Sequence, residues 1–337
     1  MSASVLWQQS LQLAATLLVM LPGVYIQAWL DAKLGADLQA RVGPSRAGSA
    51  GWLQPMADFL RLWQKVRPGS KGEHGSALWW AQGAPLFGLL TITPVGAGLP
   101  LLTAPMSVLM SLMMAISFAW IGIILSWRSG LVEARLASIR QMALGAAGIF
   151  PALLAILQVG FSARGLSWQK VDQIQGWAPW SWFAFSSPFA FVSALVFVAA
   201  GLLLFSSPPF HQGSEAVRWI VAGFPGEAGI RLIWVRFSQR IAHFCWTLLT
   251  VRLFFGGAAL PSLFTSTVDT GSAPVIALSI ALTLLKALTI LAVTSILSRT
   301  LPSVRADQAH EFSWRVLSPL ALLALVLGRL ISVGGAP

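Results

Sequence analysis

Long apolar segments recur along the chain, separated by shorter polar segments that hold most of the charged residues. The apolar segments approach or exceed the roughly 20 residues that an α-helix needs to cross a lipid bilayer. The pattern therefore predicts about eight transmembrane helices. They lie near residues 5–30, 78–102, 104–127, 141–161, 187–205, 232–256, 274–298 and 314–332.

The segment of residues 52–66, between the first two predicted spans, is too short and too polar to cross a membrane. Its apolar side chains fall largely on one helical face, and Asp58, Arg61 and Lys65 lie off that face. This arrangement predicts an amphipathic cytoplasmic loop helix at the membrane interface. Packing of the same helix against another subunit explains the pattern equally well.

Composition supports a membrane protein. Of 337 residues, 56% are hydrophobic and 10% are charged, whereas soluble domains carry about 25% charged residues. A chain this apolar cannot cover a water-facing surface, so lipid must surround most of it. We expect an all-α polytopic membrane protein in which residues 1–337 form a single membrane domain. The first apolar segment lacks the basic start of a cleavable signal peptide, so we expect it to be retained.

The net charge of +11 results mainly from scarce carboxylates. Seventeen of the 22 Lys and Arg residues lie in the segments 31–77, 128–140, 206–240 and 299–315, which fall on one side of the predicted topology. The positive-inside rule makes that side cytoplasmic and puts both termini outside, in the inner membrane of a bacterium. Basic residues between apolar runs do not form the basic face that nucleic-acid binding requires, so we expect no nucleic-acid partner.

Metal-ligating residues are sparse. The chain has a single cysteine, Cys245, and its four histidines are scattered one per region. One cysteine cannot hold an iron–sulfur cluster. We therefore expect no metal or redox cofactor in this chain, and electron transfer would fall to a partner.

Three separated segments carry recognisable motifs. Residues 31–62 contain Q-x-R-x-G-P-x-R-x-G, starting at Gln39, and then L-Q-P-x-A-D. Residues 209–257 begin with P-F and end with L-F-F-G-G, and residues 286–320 begin with Lys286 and contain T-L-P. In this order the motifs resemble the quinone-chamber membrane subunit (the H subunit) of the respiratory complex I family, the NADH-quinone oxidoreductases.

The resemblance implies a non-catalytic membrane-arm subunit of a multi-subunit quinone oxidoreductase. Such subunits form a quinone-binding chamber where the membrane arm meets the peripheral arm, and quinone enters from the bilayer. The implied partners are other membrane-arm subunits and peripheral subunits that contain the iron–sulfur clusters. Quinone is the implied substrate.

The resemblance and the charge pattern together give candidate residues for the quinone chamber or for partner binding. A plainer explanation is that the arginines at span ends reach to the interface and that Asp58 and Arg61 form a solvated pair. Arg252 receives no partner from the sequence, and Asp172 and Asp269 are the two carboxylates on the predicted outer side. The candidates are Lys33, Gln39, Arg41, Arg46, Asp58, Arg61, Arg218, Arg231, Arg236 and Arg240.

Carboxylates that the resemblance implies for a proton route are mostly absent. Their positions are taken by Leu204, Val217, Trp219, Ala146 and Gln239, and Gly145 takes the place of a tyrosine next to one of them. None of these side chains titrates, so we expect the usual route to be broken. The remaining proton-relay candidates are Glu215, Glu227 and Lys286, and any coupling would use them or a neighbouring subunit.

Two hypotheses follow from this departure. In the first, the chain is a quinone-chamber subunit whose proton-relay glutamates are largely missing. In the second, it is a structural or transport subunit of a divergent complex I-like assembly, such as a membrane-bound hydrogenase, that has lost quinone chemistry or proton coupling.

Cysteine labelling tests the predicted topology. Cysteines placed at Lys71 and Ser129 should react with a membrane-impermeant thiol reagent from the cytoplasmic side, because both positions lie in basic segments. A cysteine at Ser167 should react only from outside. Reaction of the Ser167 position from the cytoplasm would contradict the topology.

Overall fold

The structure of the protein, a computed structural model, describes residues 3–64, 81–93, 104–128, 132–207, 209–210, 230–260 and 273–334. Within these ranges the regular elements are helices. They are α1 (Ala3–Leu38), α2 (Gln54–Trp63), α3 (Gly83–Ile92), α4 (Ser107–Arg128), α5 (Val132–Ser162), α6 (Trp168–Gln173), α7 (Phe183–Ser186), α8 (Pro188–Leu204), α9 (Ile230–Phe254), α10 (Ala273–Thr300), α11 (Ala306–Phe312) and α12 (Ser318–Gly334). A π-helical segment, Ser313–Leu317, joins α11 to α12.

Each predicted span contains a helix, which confirms the all-α membrane fold. Five helical segments are long and apolar enough to cross a membrane: Thr16–Leu38, Ser107–Arg128, Ala134–Ser162, Val275–Thr300 and Ala306–Leu330. The apolar helices α3 and α8 are shorter, with 10 and 17 residues. Helix α9 has 25 residues but carries four arginines. The count of eight membrane crossings stays a prediction.

Several helices extend beyond their predicted apolar cores. Helix α1 continues past residue 30 to Leu38, and α5 begins at Val132 rather than near residue 141. The last helical unit begins at Ala306, before the predicted start at residue 314. Apolar content marks only the lipid-facing length of a helix, whereas polar and charged residues can continue the same backbone into water.

Small residues allow the central helices to pack closely. A Cβ atom at Gly201 of α8 would overlap the ring of Trp246 on α9, whose Nε1 donates to the Phe197 carbonyl at 3.2 Å. A Cβ atom at Gly148 of α5 would lie 2.8 Å from the Ala200 carbonyl oxygen. Small residues at such crossings are typical of membrane helix bundles. The glycines fix α8 between α5 and α9.

The helix directions alternate as the predicted topology requires. Helices α5 and α8 are antiparallel, with Gly148 close to Leu203 and Gln158 bonded to Ser193. Helices α1 and α10 are parallel, since Asp31 accepts a hydrogen bond from Ser295 and Gly35 lies under the Arg299 guanidinium. These directions agree with an in–out alternation, while the side of the membrane remains a prediction.

Packing at Gly201 can be tested with a matched glycine. Gly201→Ala should lower the free energy of unfolding of the purified protein by about 1–3 kcal/mol, because the added methyl overlaps Trp246. Gly145→Ala is the control, since a Cβ atom there meets only Leu204 Cδ1 at 4.0 Å. Its effect should stay within about 1 kcal/mol. If denaturant titrations show equal losses of unfolding free energy in Gly201→Ala and Gly145→Ala, the close packing at Gly201 is contradicted.

Candidate functional site

The turn after α1 folds back onto that helix. Tyr25 donates a hydrogen bond to the Trp52 carbonyl, and Trp29 Nε1 donates to the Ala50 carbonyl at 3.2 Å. Gly51 has a φ of 71°, and a Cβ atom there would overlap the Pro44 carbonyl. The turn therefore needs glycine at residue 51, because only glycine allows this backbone conformation so close to Pro44.

This turn exposes the predicted polar residues. Gln39, Arg41 and Arg46 are exposed, and Lys33 is half-buried. The aliphatic part of Lys33 packs against Gly43, with its Cδ 3.4 Å from the position of a Cβ atom. The cationic groups of the motif thus face outward from the described part of the chain, where a partner or a ligand can reach them.

Helix α2 is amphipathic and exposed on both faces. Its N-terminal Gln54 donates to Asp58 at 2.9 Å, and Arg61 lies 3.9 Å from the same carboxylate. The Asp58 and Arg61 side chains are 53% and 70% exposed, so their pairing stabilises little. The apolar side chains of Met56 and Trp63 are also about half exposed. Such a face requires lipid or another subunit to cover it.

The start of α9 lies beside α2 and α3. Helix α2 packs against α1 and α9, and a Cβ atom at Gly83 would lie 3.3 Å from the Trp234 ring of α9. Arg236 is half-buried and Arg240 is exposed, one turn apart on the same helix face. The structure therefore groups the helices that carry Lys33, Asp58 and these two arginines at one end of the bundle.

Some predicted residues cannot be placed. Glu215, Arg218 and Glu227 lie outside the described residues, and Arg231 is described by its backbone alone. Leu204, one of the positions that lack an expected carboxylate, is buried, and its side chain faces Gly145, the residue before Ala146. The contact between them is apolar, and Gln239 on α9 is half-buried.

The opposite end of α9 contains an ion pair that the sequence does not reveal. Arg252 forms a salt bridge with Asp172, and the two side chains are 5% and 41% exposed. The Trp168 ring lies 5.8 Å from the guanidinium carbon. Asp172 precedes Arg252 by 80 residues, and no local pattern links them. The sequence indicates this pair only through the predicted topology, which puts Asp172 on the outer side of the membrane.

Gln175 closes the end of α9. Its Nε2 donates to the carbonyls of Arg252 and Leu253 at 3.0 Å each, and its Oε1 accepts from the Gly256 amide at 2.7 Å. Carbonyls in the last turn of a helix have no partner within the helix, and a buried amide supplies one here. The Gly-Gly pair of the L-F-F-G-G motif is thereby held in place.

Lys286 belongs to this second end. Its Nζ donates to the Gly257 carbonyl at 3.2 Å and lies 4.7 Å from the centre of the Trp182 ring. A cation facing a ring and a carbonyl is stabilised without a carboxylate. The structure therefore places Lys286 with Arg252, and apart from Arg236 and Arg240. Among the described residues, no three His, Cys, Asp or Glu side chains form a group that could hold a metal ion.

Known proteins resemble this chain over nearly its whole length. A sequence model described as NADH dehydrogenase matches residues 11–328. The H subunit of the NADH-quinone oxidoreductase of Anaeromyxobacter dehalogenans is 29% identical over 95% of this chain and 81% of its own length. The H subunit of the F(420)H(2) dehydrogenase of Methanosarcina mazei is 30% identical over 88% of this chain and 85% of its own.

One solved structure shares the fold. A chain of the membrane-bound sulfane sulfur reductase, an archaeal respiratory membrane complex, superposes with a TM-score of 0.78 at 19% identity. The match covers 96% of this chain and 99% of the other. At this identity the likeness establishes the architecture of the bundle.

Two carboxylate substitutions compare the ends of the molecule. Asp172→Asn removes the counter-charge of the buried Arg252, and should lower the free energy of unfolding by roughly 1–3 kcal/mol, less than for a fully buried pair. Asp58→Asn removes an exposed pair and should cost under about 1 kcal/mol. Thermal and denaturant unfolding of the purified protein measure both. A larger loss of unfolding free energy from Asp58→Asn than from Asp172→Asn would show that the Asp172–Arg252 pair is not the more stabilising of the two.

Proposed function

Because this chain belongs to the NADH dehydrogenase family, in its H-subunit type, we propose that it is a membrane-arm subunit of a complex I-like oxidoreductase that lines the quinone chamber. The observation that carries this proposal is the convergence of the 39–53 turn, α2 and the start of α9 at one end of the bundle. The family motif of the turn lies there together with the half-buried Arg236.

The chemistry of this end suits a quinone. A quinone has a long apolar tail and a polar head with two carbonyl oxygens. The exposed apolar side chains of α2, such as Met56 and Leu60, offer a surface for the tail at the bilayer boundary. Arg61 on α2 and Arg240 on α9 provide hydrogen-bond donors for the head. The chain itself is non-catalytic, and the electrons come from a partner's iron–sulfur clusters.

The same end suits the junction with the peripheral arm. Arg41 and Arg46 project from a turn whose backbone is fixed by Gly51 and by the bonds from Tyr25 and Trp29. A rigid display of exposed cations favours association with acidic surfaces of peripheral subunits. We expect the protein to be purified with several other subunits, from the cytoplasmic membrane of a bacterium with both termini outside.

A second candidate function is favoured by the apolar contact between Leu204 and Gly145. Leu204 stands at one position expected to be acidic, and Ala146, the residue after Gly145, stands at another, so neither of these two positions can exchange a proton. In this alternative the chain is a scaffold or transport subunit of a divergent assembly. Glu215, Glu227 and Lys286 remain the proposed relay residues of the first candidate.

Photolabelling tests the quinone chamber. An azido-quinone added to the purified complex should label peptides from residues 31–63 and 230–240, and excess decylubiquinone should prevent the labelling. Arg240→Gln should weaken labelling about tenfold, because a charged donor to the quinone head is lost. Arg140→Gln, an exposed arginine on α5, is the control.

The Arg140→Gln control should leave labelling within about twofold, since one lost surface charge has little effect at a distance. Labelling confined to other segments, or labelling that decylubiquinone does not prevent, would contradict the quinone chamber. An intact complex with that result would favour the scaffold function.

A further inference from the structure

A histidine lies halfway along α9, inside the bundle. His243 is 13 residues from the start of α9 at Ile230, roughly 20 Å along the helix axis. Its ring is half-buried, and its Nε2 shares a hydrogen bond with the hydroxyl of Ser207, which is buried. Ionisable side chains within membrane helices are rare and mark functional sites.

The backbone around Ser207 is irregular where it meets α9. Helix α8 ends at Leu204, and Ser206 follows with a φ of 48°, an uncommon conformation for a residue other than glycine. The Ser207 amide donates to the Leu202 carbonyl at 2.7 Å. Residues 206 and 207 directly follow the predicted end of the fifth span at residue 205, so this irregular backbone lies at the end of α8. The Phe205 ring packs on the imidazole, with ring centres 5.1 Å apart.

Each member of the pair closely follows a position that lacks an expected carboxylate. Leu204 precedes Ser207 by three residues at the end of α8, and Gln239 precedes His243 by one turn on the same face of α9. Neither Leu204 nor Gln239 titrates. Imidazole is the only common side chain whose ordinary titration falls between pH 5 and 8. His243 thus supplies at this place the property that Leu204 and Gln239 lack.

Resting on the proposed function, we propose that His243, held by Ser207, is a proton-exchanging group of this subunit in place of the absent carboxylates. A proton taken up at one ring nitrogen converts the neutral imidazole to imidazolium. Release of the proton from the other ring nitrogen restores a neutral ring in the other tautomer. A ring flip or exchange through the Ser207 hydroxyl then resets the tautomer. One proton enters and one leaves, and no bond between heavy atoms changes.

The charged groups around His243 are few within the described residues. Its own helix carries Arg231, Arg236 and Arg240 toward one end and Arg252, paired with Asp172, toward the other. Helices α3, α7 and α8 contain no charged residue, and the described charges of α2 pair on the surface. The remaining charges on elements packed against α9 are Asp31, Lys33 and Asp37 of α1, Arg128 of α4, Glu133, Arg135 and Arg140 of α5, Lys170 of α6, and Lys286 and Arg299 of α10.

Proton translocation by the reconstituted complex tests the proposal. Proteoliposomes would receive reduced methyl viologen as electron donor and decylubiquinone as acceptor, with pyranine inside to report pH. His243→Gln should lower the number of protons moved per electron at least fivefold and keep quinone reduction within twofold. His310→Gln is the matched control, because His310 bonds the Ala143 carbonyl at the bundle's edge. It should change neither quantity.

A double variant and a spectroscopic measurement guard against a merely structural effect. Leu204→Glu added to His243→Gln should restore at least half of the lost translocation, since it places a titratable group beside the same turn. Infrared difference spectra of the complex between pH 5 and 8, with ¹⁵N-histidine, should show an imidazole band that disappears in His243→Gln and persists in His310→Gln. The absence of that band overturns the proposal.

The outcomes separate the two levels of inference. A wild-type complex that does not reduce decylubiquinone overturns the proposed function. In that case the infrared band alone shows whether His243 takes up a proton. A wild-type complex that reduces quinone and moves protons equally well in His243→Gln overturns only the proton-exchange proposal. The proton-exchange proposal is also overturned if the double variant Glu215→Gln with Glu227→Gln loses proton translocation while His243→Gln keeps it.

Discussion

The close approach of α8 to α5 and α9 governs the interior of this protein. Gly148 lets α8 contact α5, and Gly201 lets the indole of Trp246 lie against the α8 backbone. Without water between the helices, van der Waals contact and a few hydrogen bonds supply the attraction, so small residues decide which surfaces meet. The same approach brings Leu204 onto Gly145 and Ser207 onto His243.

Polar groups within the bundle follow a second constraint, because lipid offers them no hydrogen bonds. Arg252 is paired with Asp172, the last carbonyls of α9 are bonded to Gln175, and Lys286 rests on a carbonyl and an indole ring. These interactions hold α6, α9 and α10 together at one end. The other end, by contrast, leaves Arg41, Arg46 and Arg61 exposed. Among the described residues, the cations of the first end are held by a carboxylate, a carbonyl or a ring, whereas those of the second end are exposed.

The helices within the predicted spans were predictable because each span needs a long apolar segment, and α2 was predictable from its one-sided apolar face. The helix ends were not, since residues such as Lys33 and Arg135 extend a helix into water without changing its apolar core. The Asp172–Arg252 pair and the Ser207–His243 pair each join residues far apart in sequence. Only the packing of the bundle brings them together, and no periodic pattern in one sequence records it. The contacts of Lys286 with the Gly257 carbonyl and the Trp182 ring likewise depend on this packing.

Quinone binding and proton transfer place different demands on the chain. A quinone needs an apolar surface and hydrogen-bond donors, which the 39–53 turn, α2 and Arg240 would supply in the proposed function. Proton transfer needs a titratable group deep among the helices, and there Leu204, Gly145 and Gln239 supply none. Substitutions in the interior can therefore leave the exposed surface of the 39–53 turn and α2 unchanged. A neutral imidazole is less costly to bury than a carboxylate anion and still exchanges a proton. His243 fits an interior in which apolar packing has replaced acidic side chains.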